Sequence, residues 1–179
     1  TNMFQGVSKL IPFYKEKYDF DFKGTEIYGF EPNTKLVKRV GSWIQALFDM
    51  RNEPMLDKFF HINFNHQKTP LDYLWPSDLF DMQINLTNKA VWIEDTMKTF
   101  YQYQDDASEG STLEKWKNDY DKHTWEVKDK SIEVNEVEVE CISLSKFIKE
   151  NFDKDDYIIL KLDVEGSECE IIMDLIEKD

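Results

Sequence analysis

The sequence predicts an open α/β sheet with helices on both faces, and three stretches carry that reading. The first is Tyr157-Ile158-Ile159-Leu160-Lys161-Leu162, an apolar run of the kind found in strands covered on both faces. It passes through Asp163-Val164-Glu165-Gly166-Ser167 into residues 168–177, where Ile171, Ile172, Leu175 and Ile176 recur at helical spacing. The second is Thr25–Phe30, a short buried strand ended by Glu31-Pro32-Asn33, since proline forces the residue before it into extended geometry. Leu36, Val37, Val40, Trp43, Ile44 and Leu47 then mark one face of a helix from Thr34 to about Met50. The third is Val134–Ile142, in which Val137, Val139 and Cys141 alternate with Glu136, Glu138 and Glu140, a half-buried strand with one acidic face.

The remaining elements follow in chain order. Val7, Leu10, Ile11 and Tyr14 take helical spacing after Gly6, although Pro12 removes an amide unless the helix begins near it. Residues 52–80 read as an insert: His61–His66 alternates like a strand, and Pro70–Leu79 is either a short helix or an aromatic-rich loop. Met82–Leu86 and Ala90–Ile93 are expected strands, and Lys98–Tyr103 a third that pairs with a neighbour. Residues 104–130 are polar and acidic around Gly110-Ser111-Thr112 and read as a mobile excursion. Leu144, Phe147 and Ile148 mark a helix. The whole chain of 179 residues fits a single domain.

Charge narrows the partners. The net charge is −14, from 22 Lys and Arg against 36 Asp and Glu, and no long basic run exists to follow a phosphate backbone. Nucleic acid is therefore not an expected partner, and a glycan or other small-molecule acceptor suits the charge better. Cys141 and Cys169 are too few for a disulfide framework, which points to a reducing compartment. With no secretory pattern and no apolar run of ~18 residues, the expectation is a cytoplasmic protein without a membrane partner.

Three segments have the residue types for chemistry. Ligands of open α/β sheets sit at the carboxyl ends of strands, where Glu31 could accept hydrogen bonds from both hydroxyls of a ribose. Its spacing from Gly6 is close to the ~20 residues of that arrangement, although a surface glutamate before a turn has the same pattern. Thr1-Asn2-Met3-Phe4-Gln5-Gly6 precedes a helix and can either bring backbone amides against a ligand or simply cap the helix. No G-x-G-x-x-G is present, which argues against a nicotinamide dinucleotide. Asp163, Glu165 and Glu168 end the 157–162 strand. Such a cluster can bind a metal, hold an ammonium, or take a proton from a hydroxyl; equally, acids suit a helix N-terminus that Ser167 or Asp163 would cap.

Taken in order, four segments resemble the motifs of the FkbM-type methyltransferases. They are Phe30-Glu31-Pro32-Asn33, Asn88-Lys89-Ala90-Val91-Trp92-Ile93, Gly110-Ser111-Thr112-Leu113 and Leu160-Lys161-Leu162-Asp163-Val164-Glu165-Gly166-Ser167-Glu168, the last being the most specific. The resemblance implies a Rossmann-like class I methyltransferase sheet, S-adenosyl-L-methionine as cofactor, and methyl transfer to a hydroxyl, with a sugar of a glycan or glycoconjugate as the leading acceptor. By position it implies Glu31, with Pro32, at the ribose hydroxyls, and Asn88, Ala90 and Val91 near the adenine. Thr1, Asn2 and Gly6 would be the remains of a glycine loop under the methionine portion, and Asp163 would sit beside the methyl group and acceptor with Glu165. It further implies a strand before Thr1 and more strands after Asp179, so the expected fold is truncated at both ends. Met3-Phe4-Gln5 also lengthens the loop between Asn2 and Gly6 beyond the family's usual one.

A sugar hydroxyl is a poor nucleophile, so a base or a metal is expected to assist. The candidates are Asp163, Glu165, one of His61, His66 and His123, or Mg²⁺ or Mn²⁺ held by Asp163 and Glu165. Each histidine reads as readily as an ordinary surface or core residue. Two other classes stay open: a non-catalytic binding module of the same fold, and a metal-dependent hydrolase using Asp163, Glu165 and Glu168.

Overall fold

The computed structural model describes residues 13–50, 82–104, 110–127 and 133–178. The expectations for residues 1–12 and for the 52–80 insert lie outside them, as do the side chains of Trp43 and Leu47. The chain divides into two compact units, one comprising Asn2–Gly29 and Lys35–Thr87, the other Phe30–Thr34 and Asn88–Asp179.

In the first unit, helical residues 13–18 (α1) precede an aromatic cluster of Phe13, Tyr14, Tyr18, Phe20 and Phe22. Its ring centroids lie 4.8–6.1 Å apart, mostly edge to face, the arrangement their quadrupoles favour. Gly24, at φ 76°, supplies the left-handed turn into strand β1, Glu26–Phe30. β1 pairs with β2, Gln83–Thr87. The strand was expected to be buried; only its Gly29 is fully so, and Glu26 is exposed. Helix α2, Thr34–Met50, has the predicted amphipathic face: Leu36, Val37, Val40 and Ile44 are half-buried, whereas Lys35, Lys38, Arg39 and Gln45 are exposed.

The second unit is built on a three-stranded sheet in the order β3-β5-β4, with β3 at Ala90–Trp92, β4 at Thr96–Tyr103 and β5 at Val134–Ser143. β3 runs parallel to β5, with Ala90 opposite Cys141. β4 is antiparallel, with Thr96 opposite Cys141 and Tyr103 opposite Val134. The predicted alternation of β5 explains the core: Val137, Val139 and Cys141 pack with Ala90, Trp92, Phe100 and Leu113. Glu136, Glu138 and Glu140 stay exposed, and Thr99 donates to Glu138 across the strands at 2.7 Å. Three helices belong to this unit, α3 at Lys115–Val127, α4 at Leu144–Asn151 and α5 at Glu168–Glu177, whose Ile171 is fully buried. Ser145 on α4 donates to Asp174 on α5 at 2.6 Å.

Three expectations need correction. Residues 104–130 are not merely an excursion, because Lys115–Val127 form a helix, α3. Buried Leu113 and Asn118 anchor it, and Lys115–Asp119 and Lys117–Asp121 reinforce it at i,i+4 spacing. The apolar run 157–162 is not a strand covered on both faces: Tyr157, Ile158 and Leu160 are exposed by 69%, 42% and 45%. A central strand needs hydrogen-bonding partners on each side, and none of the described strands pairs with this run. Finally, the described strands form two small sheets in a mixed α/β arrangement instead of one open sheet. Among the described residues no helix is long and apolar enough to cross a membrane.

Candidate functional site

Glu31 follows β1 in a turn that fixes its carboxylate locally. Its Oε1 accepts the Asn33 N–H at 2.8 Å, while Asn33 itself is 2% exposed. Pro32 between them disfavours helical geometry at Glu31, and the carboxylate reaches forward to the amide two residues on. Burial pushes the Glu31 carboxyl above its ordinary value, and the Asn33 N–H bond works against that shift.

Asn88 braces this turn from the β2–β3 connection. Its Nδ2 donates to the carbonyls of Glu31 at 2.9 Å and Pro32 at 3.0 Å, and its Oδ1 accepts from the Thr34 hydroxyl at 3.0 Å. The side chain expected near the adenine is thus engaged with the backbone of the glutamate turn. Ala90 is buried in the core beside Phe100, Leu113 and Cys141, and Val91 is half-buried. Glu31, Pro32, Asn88, Ala90, Val91, Asp163 and Glu165 all belong to one compact unit; Thr1, Asn2 and Gly6 lie outside the described residues.

The 163–168 segment is a strained loop held from several sides. Glu165 takes φ 57° and Gly166 φ 119°, two successive residues in conformations that L side chains rarely adopt. Thr112 donates to the Glu165 carbonyl at 2.7 Å and accepts the Glu114 N–H at 2.9 Å. Ser167, the N-cap of α5, donates to Glu114 at 3.0 Å and makes no capping bond. Instead Glu168 reaches back, accepting the N–H groups of Val164 at 3.1 Å and Gly166 at 3.0 Å, where a carboxylate also suits the helix N-terminus. The Glu165 carboxylate lies 3.3 Å from Lys117 Nζ. Asp163 is exposed and pairs with Lys161 at 2.8 Å.

These contacts decide what the three acids can do together. Asp163, Glu165 and Glu168 each turn to a different partner and form no shared oxygen cage. Among the described residues no group of three or more His, Cys, Asp or Glu side chains is gathered to hold a metal, so the donor set does not fit the Mg²⁺ or Mn²⁺ expected at Asp163 and Glu165. His123 is exposed on α3, and His61 and His66 lie outside the described residues. Thr112, Glu114, Lys117 and Asp121 were not singled out from the sequence for this role. The i,i+4 pair of Lys117 and Asp121 was the available signal, but it reads equally as surface helix chemistry.

Residues 10–178 match the family model described as the methyltransferase FkbM domain. Neither a curated protein nor a solved structure matches the chain. The match spans nearly the whole chain, from before α1 to the end of α5, and the protein therefore belongs to the FkbM methyltransferase domain family.

Proposed function

We propose that this methyltransferase uses S-adenosyl-L-methionine to methylate a hydroxyl oxygen on a sugar of a glycan or glycoconjugate. One observation carries the reading: the Glu31 carboxylate is half-buried, fixed through one oxygen by the Asn33 N–H, and set in a turn braced by Asn88. A carboxylate placed so, at the end of a strand in a methyltransferase-family chain, is suited to accept from two ribose hydroxyls. Family membership supports the cofactor, and the acidic surface, at net charge −14, suits a neutral acceptor better than a polyanion.

When bound, S-adenosyl-L-methionine supplies a methyl carbon made electrophilic by its sulfonium. In this reading Glu31 holds the ribose, with Pro32, Ala90 and Val91 beside the base, and Asn88 keeps the glutamate turn in register. Asp163, exposed and within reach of solvent-borne ligands, would receive the acceptor hydroxyl and take its proton, while the cofactor would give up its methyl group by breaking the sulfur–carbon bond and leave as S-adenosylhomocysteine. The acceptor oxygen must come within about 3 Å of the methyl carbon, so most of the work is orientation. The divergent partners of Asp163, Glu165 and Glu168 give no support to the metal-dependent hydrolase.

Isothermal titration with S-adenosyl-L-methionine tests the cofactor. The wild type is expected to release or absorb heat on saturation, and Glu31→Gln to bind more weakly by about 1–3 kcal/mol, the scale of a lost charged hydrogen bond. No heat at millimolar ligand would leave a fold kept without its chemistry, and unchanged affinity in the variant would remove Glu31 from the site.

A further inference from the structure

The strained Glu165–Gly166 turn is tied to α3 through one cation. Lys117 Nζ lies 3.3 Å from Glu165 Oε2, 2.6 Å from Asp121 Oδ2 and 3.4 Å from the Gly110 carbonyl, and Asp121 in turn accepts from the Tyr103 hydroxyl at 3.0 Å. The three charged side chains keep only 18%, 20% and 30% of their exposure at Lys117, Asp121 and Glu165, so water screens this group less than a surface pair. Burial alone would lower the Lys117 pKa, but the hydrogen bond to Asp121 and the charges of Asp121 and Glu165 outweigh it and hold the ammonium protonated. Thr112 supplies a second tie from the same stretch, to the Glu165 carbonyl at 2.7 Å. A left-handed conformation at a non-glycine residue persists only where its surroundings over-determine it.

We propose that Lys117 is a positioning residue that acts through Glu165, locking the 163–168 loop in the geometry that presents Asp163 to the cofactor and acceptor. The proposal rests on the cofactor reading above for the role of Asp163, and on the contacts alone for the lock. It assigns the Glu165 carboxylate to the loop and leaves the acceptor proton to Asp163. Removing the ammonium would leave Glu165 and Asp121 facing each other as uncompensated like charges, which favours release of the turn.

The test uses the full chain in two arms. Without ligand, hydrogen exchange is followed over residues 163–168, where the Val164 and Gly166 amides are bonded to Glu168. Exchange is expected to be about tenfold faster in Lys117→Met and Thr112→Val, and to return toward wild type in Lys117→Arg. Should Lys117→Met fail to fold, Glu165→Gln removes the same charge contact while keeping the shape. In the second arm, S-adenosyl-L-methionine is titrated into wild type, Lys117→Met, Asp163→Asn and the double variant. If the lysine acts through the loop, the double variant binds no more weakly than Asp163→Asn alone; additive losses would mean two independent effects. Unchanged exchange in folded Lys117→Met or Glu165→Gln, or additivity, overturns the proposal. Absence of heat with the wild type would refute the cofactor reading and the role of Asp163, while the exchange arm would still decide the lock.

Discussion

Replacing Gly166 by alanine tests whether the signature loop is held in the conformation described. A Cβ at this position meets Trp116 Cζ2 at 3.1 Å, Lys117 Cδ at 3.3 Å and Glu114 Cγ at 3.6 Å, on a backbone at φ +119°. The backbone alone costs about 1–3 kcal/mol for a residue with a side chain. Of the neighbours, Trp116 is 59% exposed and can swing away, but Lys117 is tied to Asp121 and Glu165 and cannot move without loosening both. Crowding therefore adds about 1 kcal/mol, the lower end for an overpacked site. The total is about 2–4 kcal/mol, or a fall in Tm of about 4–15 °C for a chain of this size. Gly24→Ala is the control, because Gly24 also has a positive φ, of +76°, but nothing within 4 Å of its Cβ, so it incurs strain without crowding. Equilibrium urea unfolding of the three proteins gives the comparison. A Gly166→Ala protein within about 0.5 kcal/mol of wild type, or no less stable than Gly24→Ala, would refute both the loop conformation and its packing on α3.

Two further outcomes follow from the glutamate turn. Asn88→Ala loses three hydrogen bonds of about 0.5–1.5 kcal/mol each, and because the site is exposed the sum should fall near 1–2 kcal/mol in urea unfolding. Asn88→Asp should be as damaging, since a carboxylate cannot donate to the Glu31 and Pro32 carbonyls, and calorimetry should find cofactor affinity reduced in both; a benign Asn88→Asp would contradict the brace. The second concerns pH. The folded-state pKa of Glu31 is raised above its ordinary 4.5, so its stabilising contribution is full below that value and is lost as pH rises through the folded pKa. In the ligand-free protein the stability advantage of Glu31→Gln over wild type should therefore grow between pH 4 and 7, measured by thermal melts. An advantage that shrinks with rising pH would reverse the sign of the argument.

Much of the local structure was legible because it depends on short-range periodicity. The alternation at Val137, Val139 and Cys141 reports one buried face, and the helical spacing of Leu36, Val37, Val40 and Ile44 reports another, whatever the rest of the chain does. Turn chemistry was equally readable at Pro32 and Gly166, where proline and glycine restrict or permit the backbone. The run 157–162 misled because apolar content is a statement about partners, and composition does not say whether strands flank it. Helix α3 was hidden for the opposite reason. Its polar sequence lacks an apolar stripe, and what orders it is a set of i,i+4 ion pairs and the buried Asn118, while Lys117 within it and Thr112 just before it contact the 163–168 loop. At the site, residue types pointed to Glu31 and Asp163, but the pattern could not distinguish a carboxylate facing a ligand from one such as Glu165 that holds a turn.

The central claim is that the carboxylates of Glu31 and Asp163 serve one nucleoside ligand, and a crystal structure with S-adenosylhomocysteine bound tests it most directly. The account predicts ribose hydroxyls about 2.6–3.2 Å from Glu31, with the sulfur end of the ligand beside Asp163. A ligand bound elsewhere, or one that reaches Glu31 while Asp163 lies on a separate face, would contradict it.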